Sequence, residues 1–310
     1  MTSETRIKSY TVPVHGWLGV GLVAICWPLN WLLSGLVIGT DPPIPTSHSG
    51  FFPLWLGYCL VVDALTFQRK GNSLLTRSSR SYLLLFVISS PSWWLFELIN
   101  WRTQNWFYDG RDLFTDLQYA AFASVSFSTV IPAVFGTAEL VSTFKWMQRP
   151  FSGPRLTMRL RTTVGMFILG WVMLSLLLYR PHYFFPFVWM SVHFILEPVN
   201  VWLNHKSLLT KTQSGNWQSI FSLATGCLIC GFFWEMWNFY SYPKWIYRVP
   251  FVSFWKIFEM PLLGYGGYIP FAFEIHALYH LVVGLLKIES ADDPPYLQLS
   301  SHNSGGNPHP

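Results

Sequence analysis

The sequence predicts an all-α polytopic membrane protein, with about eight transmembrane helices in two parallel four-helix repeats and an amphipathic or re-entrant outer loop before the last helix. Three observations carry this. Hydrophobic residues make up 51% of the 310 residues and charged residues only 11%, against about 25% charged in soluble domains. The apolar residues fall in runs of about 20, the length a helix needs to cross a bilayer. Acids recur at matching places in the two halves. This composition excludes soluble globular, disordered, coiled-coil and disulfide-scaffold chains.

The elements follow in order. Residues 1–12 are a polar N-terminal segment with no evident signal peptide. The first four-helix repeat, 13–145, holds spans at 16–38, 51–68, 82–100 and 118–142. A basic cytoplasmic linker, 146–160, leads to the second repeat, 161–288, with spans at 162–179, 184–203, 217–239 and 267–287. The tail, 289–310, runs through Asp292-Asp293-Pro294-Pro295 into Gly, Ser and Pro and is expected to be disordered.

Eight spans put both termini on one side. With the N-terminus cytoplasmic, the inner segments carry 14 of the 20 Lys and Arg, and the outer ones 6: Arg102, Arg111, Arg180, Lys244, Arg248 and Lys256. The positive-inside rule then predicts a multi-pass protein of the cell membrane with both termini cytoplasmic. The net charge of +5 calls for no nucleic-acid partner, since loop Lys and Arg account for it. The bilayer itself is the partner the sequence requires, and the oligomeric state stays open. Cys26, Cys59, Cys227 and Cys230 lie in apolar runs; Cys227-Leu-Ile-Cys230 has redox or zinc spacing, yet reads more simply as small packing residues.

The repeat rests on ordered matches. Asp63 and Ser73-Leu74-Leu75 recur as Glu197 and Ser207-Leu208-Leu209, offset by 134. Phe96-Glu97 and Asn100 recur as Trp234-Glu235 and Asn238, offset by 138; Trp106-Phe-Tyr108 recurs as Trp245-Ile-Tyr247, offset by 139. Trp and Phe coincide easily in so aromatic a chain, but acids in hydrocarbon are costly and do not recur for nothing.

An acid at the bilayer centre costs about 2.5 kcal/mol or more. Asp63, Glu97, Glu139, Glu197, Glu235 and Glu274 lie in or near spans, and no Lys or Arg reads as deep enough to neutralise them. An outer group gathers Glu97, Asn100, Glu235, Asn238 and Glu274 as candidate catalytic residues. Each Asn follows its Glu at i+3, on the same helical face, where a carboxamide can aim the acid. A deeper group holds His193, His276 and His280 as candidate cofactor ligands, His276 and His280 being i,i+4. No metal signature such as HExxH is present, so the metal and cofactor remain unknown; the bland reading is imidazoles that join helices by hydrogen bonds. Between the last two spans, residues 240–270 are rich in aromatics, Pro and Gly. They read as an interfacial belt or as a lid over the outer acids.

Three functions fit these features. The leading one is an enzyme acting on a lipid-soluble, isoprenoid- or carotenoid-like substrate. Glu235 would be the acid, Glu97 or Glu274 the base, and Trp93, Trp94, Trp234 and Trp237 the cavity walls. The others are a proton-coupled transporter, with Pro132 or Pro198 breaking a helix, and a haem-, pigment- or quinone-binding subunit carried by the histidines. The tandem carboxylate-bearing repeats loosely resemble the membrane carotenoid cyclases and hydratases. The cyclases' paired acids after proline are absent here and the span count per repeat differs, so no residue role carries over.

Overall fold

A computed structural model describes residues 10–37, 47–149, 151–289 and 292–299. The rest of the N-terminal segment, the end of the first expected span and the last residues of the tail lie outside the described residues. The described chain is mostly helical, as an apolar surround demands of a backbone that must bond to itself. Among the described residues, seven stretches are long and apolar enough to cross a membrane: 49–70, 79–103, 116–142, 160–179, 181–202, 218–239 and 262–285.

The first half runs α1 (Val14–Val37), α2 (Ser47–Lys70), a short α3 (Leu74–Arg77), α4 (Ser79–Thr103), β1 (Trp106–Asp109), α5 (Asp116–Phe127) and α6 (Val130–Ser142). The second runs α7 (Leu160–Tyr179), α8 (Pro181–Phe184), α9 (Ser191–Trp202), α10 (Leu208–Thr212) and α11 (Gln218–Phe239). It ends with β2 (Lys244–Tyr247), β3 (Lys256–Ile257), β4 (Met260–Pro261) and α12 (Tyr268–Leu285).

Two expected spans are not single helices. The run 118–142 breaks at Ser128 and Thr129 into α5 and α6. Pro132 has no N–H for the carbonyl four residues back, so the ladder fails there. Ser89 of α4 fills the gap: its hydroxyl donates to the Phe127 carbonyl at 2.6 Å and accepts from the Ile131 N–H at 3.0 Å. The run 184–203 starts as α8 and a 3-10 turn containing Pro186, and becomes α-helical only from Ser191. Pro198, the other suspected break, lies inside an unbroken α9.

Helices α6 and α11 form the centre of the bundle. A Cβ on Gly226 would lie 2.6 Å from the Ala138 backbone nitrogen, so glycine alone permits this approach. Beside it Cys230 bonds Thr137 at 3.3 Å, and Thr137 bonds the Tyr58 hydroxyl at 2.8 Å. All four cysteines are free thiols, Cys227 and Cys230 both buried. Around this centre α2, α4, α9 and α12 pack, with α1 against α2 and α7 against α9.

At one end β1 and β2, from the two halves, form an antiparallel ribbon pairing Trp106 with Tyr247 and Tyr108 with Trp245. At the other end two acids make the same bonds. Asp63 accepts from the Ser73 hydroxyl (2.7 Å) and the Leu75 N–H (2.9 Å); Glu197 accepts from the Ser207 hydroxyl (2.7 Å) and the Leu209 N–H (2.8 Å). In each case the acid docks the start of the short helix that follows.

That end also corrects the expectation that no cation reaches the buried acids. Glu139 is fully buried, yet Arg77 binds it through both nitrogens at 2.6 Å and Lys70 lies 2.5 Å away. The stretch 292–299, part of the tail expected to be disordered, is packed instead. Leu297 and Leu299 are buried, Tyr296 donates to the Leu74 carbonyl, and the Gln298 side chain accepts from Lys70.

Candidate functional site

The ribbon end encloses a cavity of about 180 Å³. Fourteen aromatic side chains line it, drawn from α2, α4, β1, the segment before α5, α5, the turn before α9, α11, β2 and α12. Trp93 and Phe271 meet edge to face, and Trp106 stacks on Trp189 with ring centres 5.7 Å apart. Met260, Gly264 and Gly267, from the segment before α12, complete the wall. Arg111 and Lys244 also line the cavity, but both are engaged: Arg111 pairs with Asp116, and Lys244 with Glu259 at 2.5 Å.

The wall is positioned by the two asparagines. Asn100 donates from its amide to the Trp106 carbonyl at 2.7 Å and accepts from the Asn105 N–H at 2.9 Å. Asn238 donates to the Trp245 carbonyl at 2.8 Å and accepts from the Trp245 N–H at 2.9 Å. The carboxamides therefore hold the ribbon backbone and do not aim the glutamates, as their i+3 spacing had led us to expect. A carboxamide matches a peptide group donor for acceptor, so a chain leaving a helix is the better partner.

The glutamates instead receive the ribbon's side chains. One oxygen of Glu97, Oε1, accepts from Tyr108 (2.6 Å), Trp106 (2.9 Å) and Trp93 (3.0 Å). Oε1 of Glu235 accepts from Tyr247 and Tyr268, both at 2.7 Å. Burial, and next the neighbouring carboxylate, push the Tyr108 and Tyr247 phenols well above their ordinary range, so both stay protonated donors. The surroundings differ. Glu97 lines a shallow surface groove with Trp94 and Trp101, whereas Glu235 is fully buried behind the cavity wall. The second oxygen of Glu235 has no hydrogen-bond partner.

The other candidates fall elsewhere. Glu274 is buried and accepts from the Val192 N–H at 3.2 Å; it makes no described contact with Glu97 or Glu235. His193 meets the Phe273 carbonyl at 3.3 Å. His276 and His280 have ring centres 4.3 Å apart, and His280 lies 3.3 Å from Glu289. No group of three metal-ligating side chains occurs among the described residues. Of the four expected wall tryptophans, Trp93 and Trp234 line the cavity; Trp94 bonds Ser124 and Trp237 is packed against Trp55.

Tyr108, Tyr247 and Tyr268 are site residues that the sequence reading passed over. Their signal was present for two of them: Trp-x-Tyr recurs nine residues after Glu97 and ten after Glu235, which is where the donors return. Comparison with protein families, with characterised proteins and with solved structures yields no match for this chain.

Proposed function

We propose that this is an integral membrane enzyme acting on a lipid-soluble, isoprenoid- or carotenoid-like molecule by carboxyl acid/base chemistry. The observation that carries the reading is an aromatic cavity backed by a buried glutamate with one oxygen held by two tyrosines and the other uncommitted. Apolar walls select an apolar ligand, and aromatic faces stabilise positive charge developing on it. Tyr247 and Tyr268 fix Oε1 of Glu235, which leaves Oε2 to deliver a proton and recover one from the carbon beside the resulting cation.

In this reading the chain crosses the cell membrane eight times, α1 being the eighth span, as two four-helix units of one orientation with cytoplasmic termini. The matched bonds of Asp63 and Glu197, of Asn100 and Asn238, and of Glu97 and Glu235 support descent from one duplicated unit. Purification in mild detergent, solvent extraction and mass spectrometry test the function. An enriched polyprenyl or polyene species, converted by the wild type and not by a folded Glu235→Gln variant, is the expected result. A haem, quinone or pigment in the extract, or unchanged turnover in the variant, would overturn it.

A further inference from the structure

Among the acids of the spans, Glu97 is the one that a surface groove reaches. Asp63, Glu139, Glu197, Glu235 and Glu274 are all buried, whereas Glu97 is only partly buried and lines the groove. Trp106, Tyr108 and Tyr119 line both the groove and the aromatic cavity, so the two share this wall. Oε1 of Glu97 already carries three hydrogen bonds. Among the described residues none reaches Oε2, and no Lys or Arg pairs with the carboxyl. Cations stand at the edge instead. The Arg111 guanidinium lies 4.4 Å from the centre of the Tyr119 ring, and exposed Arg248 lies 5.2 Å from the centre of the Phe107 ring, both rings being part of the groove. Arg111 is paired with Asp116, while Arg248 has no ion pair among the described residues. Leu98 and Trp101 are 63% and 79% exposed on α4, a helix apolar enough to cross a membrane, so the groove opens sideways towards lipid.

An acid among aromatic faces, with a guanidinium at the rim and apolar side chains towards the bilayer, is complementary to a molecule that carries a cation, an anion and an acyl chain together. We propose that the groove binds the headgroup of a phospholipid bearing a primary ammonium, of the phosphatidylethanolamine class. The ammonium donates to Oε2 of Glu97 beside the Trp94 and Trp101 rings, the phosphate meets Arg248, and the acyl chains run along Leu98 and Trp101. Aromatic faces attract any ammonium, but an open carboxylate oxygen rewards one with N–H groups to give, which a quaternary ammonium lacks. A purely anionic headgroup would satisfy the arginine and be repelled by the carboxylate. This site is separate from the cavity and does not depend on what the cavity holds.

The test uses the full-length protein in mild detergent and three lipids of identical acyl chains: phosphatidylethanolamine, phosphatidylcholine and phosphatidylglycerol. Bound lipid is counted by native mass spectrometry. Phosphatidylethanolamine should bind about tenfold more tightly than either of the others, the worth of one charge-assisted hydrogen bond. Glu97→Gln should lower its binding about tenfold without lowering that of phosphatidylglycerol, and Arg248→Gln should weaken all three. Should the Gln variant prove unfolded, the wild type still decides, because N-methylation in phosphatidylcholine removes the ammonium N–H groups alone. Equal binding of the three lipids by the wild type, or an unchanged preference in a folded Glu97→Gln variant, would overturn the proposal. Glycerophosphoethanolamine, the headgroup without its chains, should compete only weakly; competition as strong as the lipid's would overturn the lipid as the source.

Discussion

Asn100 and Asn238 show how a polar residue in an apolar helix can serve architecture. Each satisfies the peptide groups of a strand leaving the helix, so replacing either by Ala strands buried donors and acceptors. A loss of about 1–3 kcal/mol is expected for each, read as a lowered melting temperature with earlier proteolysis inside the ribbon. Arg77 carries a larger share. Its removal leaves Glu139 without its bidentate partner in the interior, at a cost of about 3–5 kcal/mol. Arg77→Met with Glu139→Leu should recover much of that loss, which thermal denaturation of the single and double variants would show. Glu289 sets an acid limit. Burial alone would raise its pKa, but the His280 ring, the Lys206 ammonium and the Tyr296 N–H hold it down to about 2. A carboxyl depressed by folding stabilises above its unfolded pKa, about 4.3, and loses that contribution as pH falls through the folded value. Stability should therefore decline from about pH 4 towards 2, and Glu289→Gln should flatten the decline in pH-dependent melting curves.

At the scale of elements, several spans were legible from the apolar run alone. Helices α4, α7, α11 and α12 match their expected runs to within three residues at each end. The α5–α6 break was not legible, because Pro132 alone permits either a kink or an interruption and Ser89 lies some forty positions away in the chain. Ser89 decides it by bonding both severed ends. Ser89→Ala should accordingly destabilise by about 1–3 kcal/mol and speed amide hydrogen exchange at Ile131, measurable by exchange mass spectrometry. The order of 292–299 was hidden for a related reason. Its Pro and Asp composition speaks of disorder, while two leucines and a tyrosine find buried partners that only the folded bundle creates. The ribbon was visible only as recurring Trp-x-Tyr, since four-residue strands leave too short a pattern to read.

For the whole molecule, composition points to a membrane-embedded chain, and the seven helices long and apolar enough to cross a membrane among the described residues agree with it. The pairing of acids with partners did not follow from composition, because the cations that reach Glu139 stand at helix ends, Lys70 at the end of α2 and Arg77 at the end of α3. The proposed orientation is tested by cysteine labelling in intact cells, after the native thiols are replaced. A cysteine at position 111 should react with an impermeant reagent, and one at position 211 only after permeabilisation. The ribbon has a further, mechanical meaning. Its pairs run Trp106 to Tyr247 and Tyr108 to Trp245, so each half contributes one strand of a clasp across the line that divides them. Halves fastened at one face cannot swing open there without tearing the clasp. The segment between β2 and α12 continues from this clasp and supplies Met260, Gly264 and Gly267 to the cavity wall, so the rim of the cavity is tied to both halves of the chain at once.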